Sequence, residues 1–161
     1  MKAIFLMTSI FIDVSLAAQS DFNSQLKAII ADSFKCFAKF KGDESTEPQP
    51  AHTRSFSTTI QIEGTGKNRI YCSGEKICIY ETVVADSVKL RKGKILADRW
   101  KQRIQTAIGT GFIVAPYKYV NYNPSQYGWK FSRTGFNIYI DVYPSSDTKL
   151  YRVYLSFAQT D

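Results

Sequence analysis

The last quarter of the chain alternates apolar and polar residues at period two. Phe136, Ile138, Ile140 and Val142 alternate with Asn137, Tyr139, Asp141 and Tyr143, the signature of a half-buried strand. After the connection Pro144 to Lys149, Tyr151, Val153, Leu155 and Phe157 alternate with Leu150, Arg152, Tyr154 and Ser156. Antiparallel pairing that sets Tyr143 opposite Leu150 brings Ile140 opposite Val153 and Ile138 opposite Leu155 on an inner face. The same register sets Asp141 opposite Arg152 and Tyr139 opposite Tyr154 on the outer face, both favourable cross-strand pairs. A slip of one residue turns an apolar set towards water, so this register is strongly preferred. Trp129 to Phe131 extends this to a meander, with Phe131 opposite Phe136 and Trp129 opposite Ile138.

Upstream, the period changes to that of helices. Over residues 21–41, Phe22, Leu26, Ile29, Ile30, Ser33, Phe37 and Phe40 fall on one face, with Ser20 or Asp21 as the cap and Gly42 as the stop. A second helix lies within 86–108, with Leu96, Ala97, Trp100, Ile104, Ala107 and Ile108 as its apolar stripe and Lys94, Asp98, Lys101 and Gln105 on the wet face. Its start is ambiguous. Lys89, Arg91, Lys92 and Lys94 meet the positive end of the helix dipole, and Gly93 weakens the helix further.

Between the helices, Asp43 to Arg54 is polar and proline-bearing and reads as a loop. Ser55 to Glu63 alternates as a strand with one wet face. Arg69 to Cys72 is a further strand, and Ile77 to Val84, apolar on both sides, suits a central one. Phe112 to Tyr122 is a strand in which Pro116 marks an edge or a bulge. The order α-β-β-β-α-β-β-β-β predicts an α+β fold: one antiparallel sheet of roughly five to seven strands with two amphipathic helices on one face. No internal repeat is legible.

The N-terminus adds a compartment. Lys2, the apolar run Ala3 to Ile12 and the small-x-small site Ser15-Leu16-Ala17 have the form of a cleaved signal peptide over residues 1–17. The apolar run is too short to span a bilayer. A single domain over 18–161, exported to the periplasm or the extracellular space, is the expectation. Loss of residues 1–17 removes one base, Lys2, and one acid, Asp13, so the net charge stays at +7. That charge favours anionic partners such as an acidic protein or an anionic envelope component. The densest basic cluster is Lys89, Arg91, Lys92 and Lys94, with Trp100 nearby, and residues 89–103 are a candidate polyanion-binding segment.

Three cysteines are present: Cys36, Cys72 and Cys78. Three reduced thiols acting as small core hydrophobes is the simpler reading. The alternative is a cross-hairpin disulfide between Cys72 and Cys78, which flank a turn at Ser73 to Lys76. No Cys-x-x-Cys or Cys/His spacing supports a redox or metal site, and no cofactor motif appears. Gly64-Thr65-Gly66-Lys67 has the wrong spacing for a phosphate loop and is followed by strand residues. A Ser–His or Cys–His triad would depend on the one histidine, His52, which lies in the proline-bearing loop, where a lone histidine is usually just solvated.

The remaining functional signal is aromatic. Eight of the ten tyrosines follow Val114, and Tyr139, Tyr143 and Tyr154 line the outer face of the meander. Tyrosine gives contact area at low entropic cost, which suits a binding surface. The favoured reading is therefore an exported, non-catalytic protein that binds a partner or ligand through this face. An envelope or extracellular hydrolase using a carboxylate pair drawn from Glu63, Glu81 and Asp141 is the alternative, since two strand residues can meet without a sequence motif.

Overall fold

The computed structural model describes residues 21–74, 77–119, 125–145 and 149–160. The expected signal peptide and part of the turn between Cys72 and Cys78 lie outside them. A helix, α1 (residues 21–33), is followed by β1 (Lys41–Glu44), β2 (Thr53–Thr58), β3 (Asn68–Ser73) and β4 (Ile77–Val88). Then come α2 (Leu90–Ile108), β5 (Ile113–Pro116), β6 (Tyr127–Arg133), β7 (Phe136–Pro144) and β8 (Tyr151–Gln159). The fold is α+β. Among the described residues eight strands form one antiparallel sheet in the order β1-β2-β3-β4-β8-β7-β6-β5.

That order has a simple logic. Each half is a helix followed by a four-stranded meander, and α2 carries the chain to the far edge so that the second meander returns to pair β8 with β4. The repetition is architectural; the sequence shows no trace of it. No helix among the described residues is long and apolar enough to cross a membrane.

The extra strand, β1, lies at the end of the expected first helix and the start of the stretch 43–54 expected as a loop, and the helix itself ends earlier than expected. Helix α1 stops at Ser33, whose hydroxyl donates to the Ile30 carbonyl oxygen at 2.8 Å. The Asp32 carboxylate accepts from the Lys39 amide at 2.8 Å, and its backbone oxygen accepts from Lys35 and Phe37. Cys36 and Phe37 both take positive φ, 51° and 55°, a conformation disfavoured for non-glycine residues. Burial of Phe37, fully enclosed with its ring 6.0 Å from that of Tyr80, offsets this. All seven residues of the expected apolar stripe are buried, although Phe37 and Phe40 reach the core from turns rather than from a helix. The strand expected over 55–63 likewise ends at Thr58. Its hydroxyl bonds to the amide and carbonyl of Ile60, a local alternative to the strand ladder.

Both hairpins of the C-terminal meander have the expected faces and a register shifted by two residues. Ile140 pairs with Leu155, Ile138 with Phe157 and Pro144 with Tyr151. On the other side Phe131 pairs with Ile138 and Arg133 with Phe136, leaving a two-residue turn with Gly135 at φ 73°. A shift of two keeps every side chain on its face, so alternation alone does not choose between the two registers. The observed β7–β8 ladder gains by it, extending from Phe136↔Gln159 to Pro144↔Tyr151. On the outer face the consequence is large. Asp141 lies opposite Tyr154, and Arg152 lies opposite Tyr143 and bonds Asp86 at 2.8 Å instead of Asp141.

The core is the inner face. Ile70, Tyr80, Phe131, Phe136, Ile138, Ile140, Val142, Val153, Leu155 and Phe157 are fully enclosed there, in one cluster with Phe22, Leu26 and Ile29 of α1 and Ala97, Trp100 and Ile104 of α2. Helix α2 contacts β4, β6, β7 and β8. It begins at Leu90, with Lys89 as N-cap and no acidic residue in its first turn. Gly93, a weakness when only helix propensity is considered, is what lets α2 approach the sheet: a Cβ there would meet Val142 Cγ1 at 2.9 Å. Asp98 is not simply solvated. It accepts from the Tyr127 hydroxyl at 2.7 Å and the Trp129 indole at 2.8 Å, tying α2 to β6.

Cys72 and Cys78 face each other across β3 and β4 with Cα atoms 4.1 Å apart and form a disulfide, both sulfurs lying in the core cluster. In place of three thiols there is thus a bridged pair, and Cys36 remains a thiol. Directly opposed positions of a tight hairpin bring two cysteines within bonding range, which explains the departure.

Candidate functional site

The outer face of the central strands is not flat. Three features of the sequence build a cleft there. The alternation of β4, β7 and β8 points Ile79 and Glu81, then Tyr139, Asp141 and Tyr143, then Tyr154, Ser156 and Ala158 to the side away from the core. Beyond β5, Tyr117 continues alongside β6, its amide donating to the Gly128 carbonyl at 2.9 Å. Gly128 itself lies opposite Asp141 and carries no side chain, so the Tyr117 ring passes over it to the next strand and stops 4.9 Å from the ring of Tyr139. A Cβ at Gly128 would lie 2.4 Å from the Ile140 carbonyl oxygen and 2.9 Å from Asp141 Oδ1.

A second ring cluster closes the other side. Tyr119 lies 6.4 Å from Tyr143, and Tyr143 lies 5.8 Å from Tyr154 in a T-shaped contact. The cavity between these rings measures about 400 Å³ and is lined by Ile79, Ser156 and Ala158 along its base, with Glu81 and Asp141 as its only charged side chains among the described residues. An adjoining cleft of about 610 Å³ shares Glu81 and continues over Arg69, Tyr71 and Arg152.

The two carboxylates are unusual. Asp141 is 4 % exposed, and its Oδ1 has no hydrogen-bond partner. Burial raises its pKa to about 6, against a lowering by the Ser125 hydroxyl. Glu81 is raised to about 7, first by burial and then by the negative charge of Asp141. Tyr143 and Tyr117 are also pushed up, by burial and then by Asp141. Strands β4 and β7 are separated by β8, and the two acids are offset by two residues along it. At ordinary sheet spacings their Cα atoms are roughly 12 Å apart.

Among the described residues neither acid is in an ion pair. Arg69, directly opposite Glu81, is bonded to Glu47 at 2.6 Å, and Arg152 to Asp86 at 2.8 Å. Lys130, opposite Tyr139, lies over that ring with its ammonium 5.7 Å from the centroid. Among the described residues no three His, Cys, Asp or Glu side chains gather in a way that could hold a metal ion.

Of the residues singled out from sequence, Tyr139, Tyr143 and Tyr154 all border the two clefts, half-buried rather than paving an open surface. Lys89, Arg91, Lys92 and Lys94 are at the exposed start of α2, apart from them. Lys94 lies over the Tyr127 ring, whereas Lys101 stacks on Trp129 at 3.6 Å and Arg103 bonds Glu63 at 3.0 Å, so the C-terminal part of the basic segment is committed within the protein. Glu63 is therefore an ion-pair partner, not a member of the cleft. Sequence reasoning missed Tyr117, Tyr119 and the role of Asp141. The available signals were the period-two tyrosines after Pro116 and a glycine inside a strand, which marks close approach. No protein family, curated protein or solved structure matches the chain.

Proposed function

We propose that this is an exported, non-catalytic binding protein that takes a small ligand in the tyrosine-walled cleft of its outer sheet face. The observation that carries the reading is Asp141: a carboxylate 4 % exposed, with an unpartnered oxygen, among aromatic walls. An unpaired buried polar group costs stability, and a ligand in the cleft would complete this one; the other such atom, Ser55 Oγ on β2, lines neither cleft. The apolar base and aromatic walls with few polar groups are the usual make-up of a small-molecule site. The Cys72–Cys78 disulfide supports an oxidising destination, in keeping with the signal-like residues 1–17.

The test is a small-molecule screen followed by backbone amide NMR of the mature chain. Saturable shifts centred on Tyr117, Tyr139, Asp141 and Tyr154, lost in Tyr139→Ala/Tyr154→Ala with the fold intact, are expected. Shifts confined to Lys89–Lys94 that vanish with added salt would instead place function on the basic helix start.

One alternative has its own observation. Glu81 at about 7 beside a second carboxylate is what a general acid of a hydrolase requires. That reading predicts turnover of a chromogenic glycoside or ester panel, abolished by Glu81→Gln. Binding without turnover rules it out.

A further inference from the structure

Resting on the cleft reading, we infer that the ligand is an organic ammonium ion carrying at least one N–H, held between Asp141 and Glu81 and enclosed by the tyrosine rings. Charge comes first. Among the described residues the cavity lining contains two acids and no Lys or Arg, and the arginines nearest to it are each bonded to another carboxylate, Arg69 to Glu47 and Arg152 to Asp86. The chain as a whole carries +7, so this is a local acidic site in a basic protein. An anionic ligand would meet uncompensated negative charge in a partly desolvated space, and a neutral one would leave it in place.

Geometry then restricts the cation. Asp141 Oδ1 lacks a donor, which an ammonium N–H supplies and a quaternary ammonium does not. The faces of Tyr139, Tyr143 and Tyr117 carry the negative quadrupole that attracts a desolvated cation. The apolar base of Ile79 and Ala158 fits a hydrocarbon or aromatic body attached to the ammonium. A bare metal ion is not favoured, because no third acidic, His or Cys ligand approaches among the described residues.

Binding and protonation are coupled in this arrangement. Glu81 faces Arg69 and Tyr71 on β3 and Ser156 and Tyr154 on β8. Asp141 faces Tyr139 and Tyr143 on its own strand, Tyr154 on β8, and Tyr117 and Ser125 beyond Gly128. Arg69 and Arg152 are committed to Glu47 and Asp86, while Lys67 lines the adjoining cleft and Lys130 lies over the Tyr139 ring, and neither lysine lines the cavity itself among the described residues. Both acids hold protons to higher pH than usual, and a bound ammonium favours their ionised forms, so the ligand expels protons near neutrality.

The experiment is calorimetric titration of the mature chain with phenethylamine, its neutral isostere phenethyl alcohol and the anion phenylacetate. The amine is expected to bind at least ~10-fold tighter than the alcohol at about pH 8, with phenylacetate weakest. Amine affinity should fall towards about pH 5 as the acids protonate, alcohol affinity should not, and the binding heat should depend on the buffer's ionisation enthalpy. Asp141→Asn and Glu81→Gln, which keep size and remove charge, should each erase the preference for the amine while the alcohol still binds. Equal binding of amine and alcohol, or preference for phenylacetate, overturns the cation assignment and leaves the cleft as a ligand site of other chemistry. Absence of saturable amine binding overturns it too, and the cleft reading then stands or falls on the NMR screen.

Discussion

The two faces of the sheet follow different rules. On the inner face, β7 and β8 present residues that are apolar, fully enclosed and in one cluster with both helices, and among the described residues no buried side-chain polar atom of that face lacks a partner. On the outer face the same strands present tyrosines, two raised carboxylates and a buried oxygen without a partner. The inner face accounts for why the chain folds. The outer face is costly to keep, and stability alone gives no reason for it. A region that departs from the consistency of the rest of the fold is where function is to be sought.

The sharpest way to break this contrast lies within β8. Phe157→Ala, on the inner face, should cost about 3–5 kcal/mol, while Tyr154→Ala, three residues earlier on the outer face, should cost about 1. Urea unfolding of the pair checks it, and comparable losses would remove the distinction between the faces. Gly128→Ala should follow at about 2–3 kcal/mol, since the clashing atom at 2.4 Å is a backbone oxygen that does not move cheaply. Unlike Phe157→Ala it should also displace the Tyr117 ring, seen as lost contacts between Tyr117 and Tyr139 in NMR. Cys72→Ala/Cys78→Ala should cost about 2 kcal/mol and leave the cleft resonances in place. Loss of ligand binding in that variant would show that the inner edge of β3 and β4 supports the site more directly than the contrast allows.

How much of this was legible in the sequence depends on which periodicity carried it. The faces of β7 and β8 follow from alternation, and the helical spacing of three and four gives most of the buried residues of both helices. What alternation cannot encode is a slip of two residues, and that slip decided the outer face. In the expected register Asp141 has Arg152 as its partner and is an ordinary surface acid; in the observed one Arg152 bonds Asp86 and Asp141 is left in the cleft. The cleft depends further on Tyr117, a residue beyond a short edge strand, crossing a strand at Gly128, a long-range coincidence with no local pattern. The early end of α1 has a local cause in Asp32 and Ser33, but helical spacing continued past it through Phe37 and Phe40 and masked the stop. The disulfide was legible as a choice between two states of Cys72 and Cys78; hairpin register settles it.

The pH dependence of stability bears most directly on the central claim, that the outer-face acids are held at a cost. A carboxylate whose pKa is raised in the folded state binds its proton more tightly there than in the unfolded chain. Its contribution to stability is present below about pH 4 and is lost as pH rises through about 6 for Asp141 and about 7 for Glu81. Glu47 and Asp86, lowered by Arg69 and Arg152, act in the opposite sense as pH falls, but they are surface pairs and contribute little. The measurement is the unfolding free energy of Asp141→Asn against the unaltered chain at about pH 8 and about pH 4. The account predicts that the variant is more stable by about 1–3 kcal/mol at the higher pH and equal at the lower. A variant that is less stable at the higher pH would show that ionised Asp141 serves the fold, and would contradict the claim that its carboxylate is kept for a ligand.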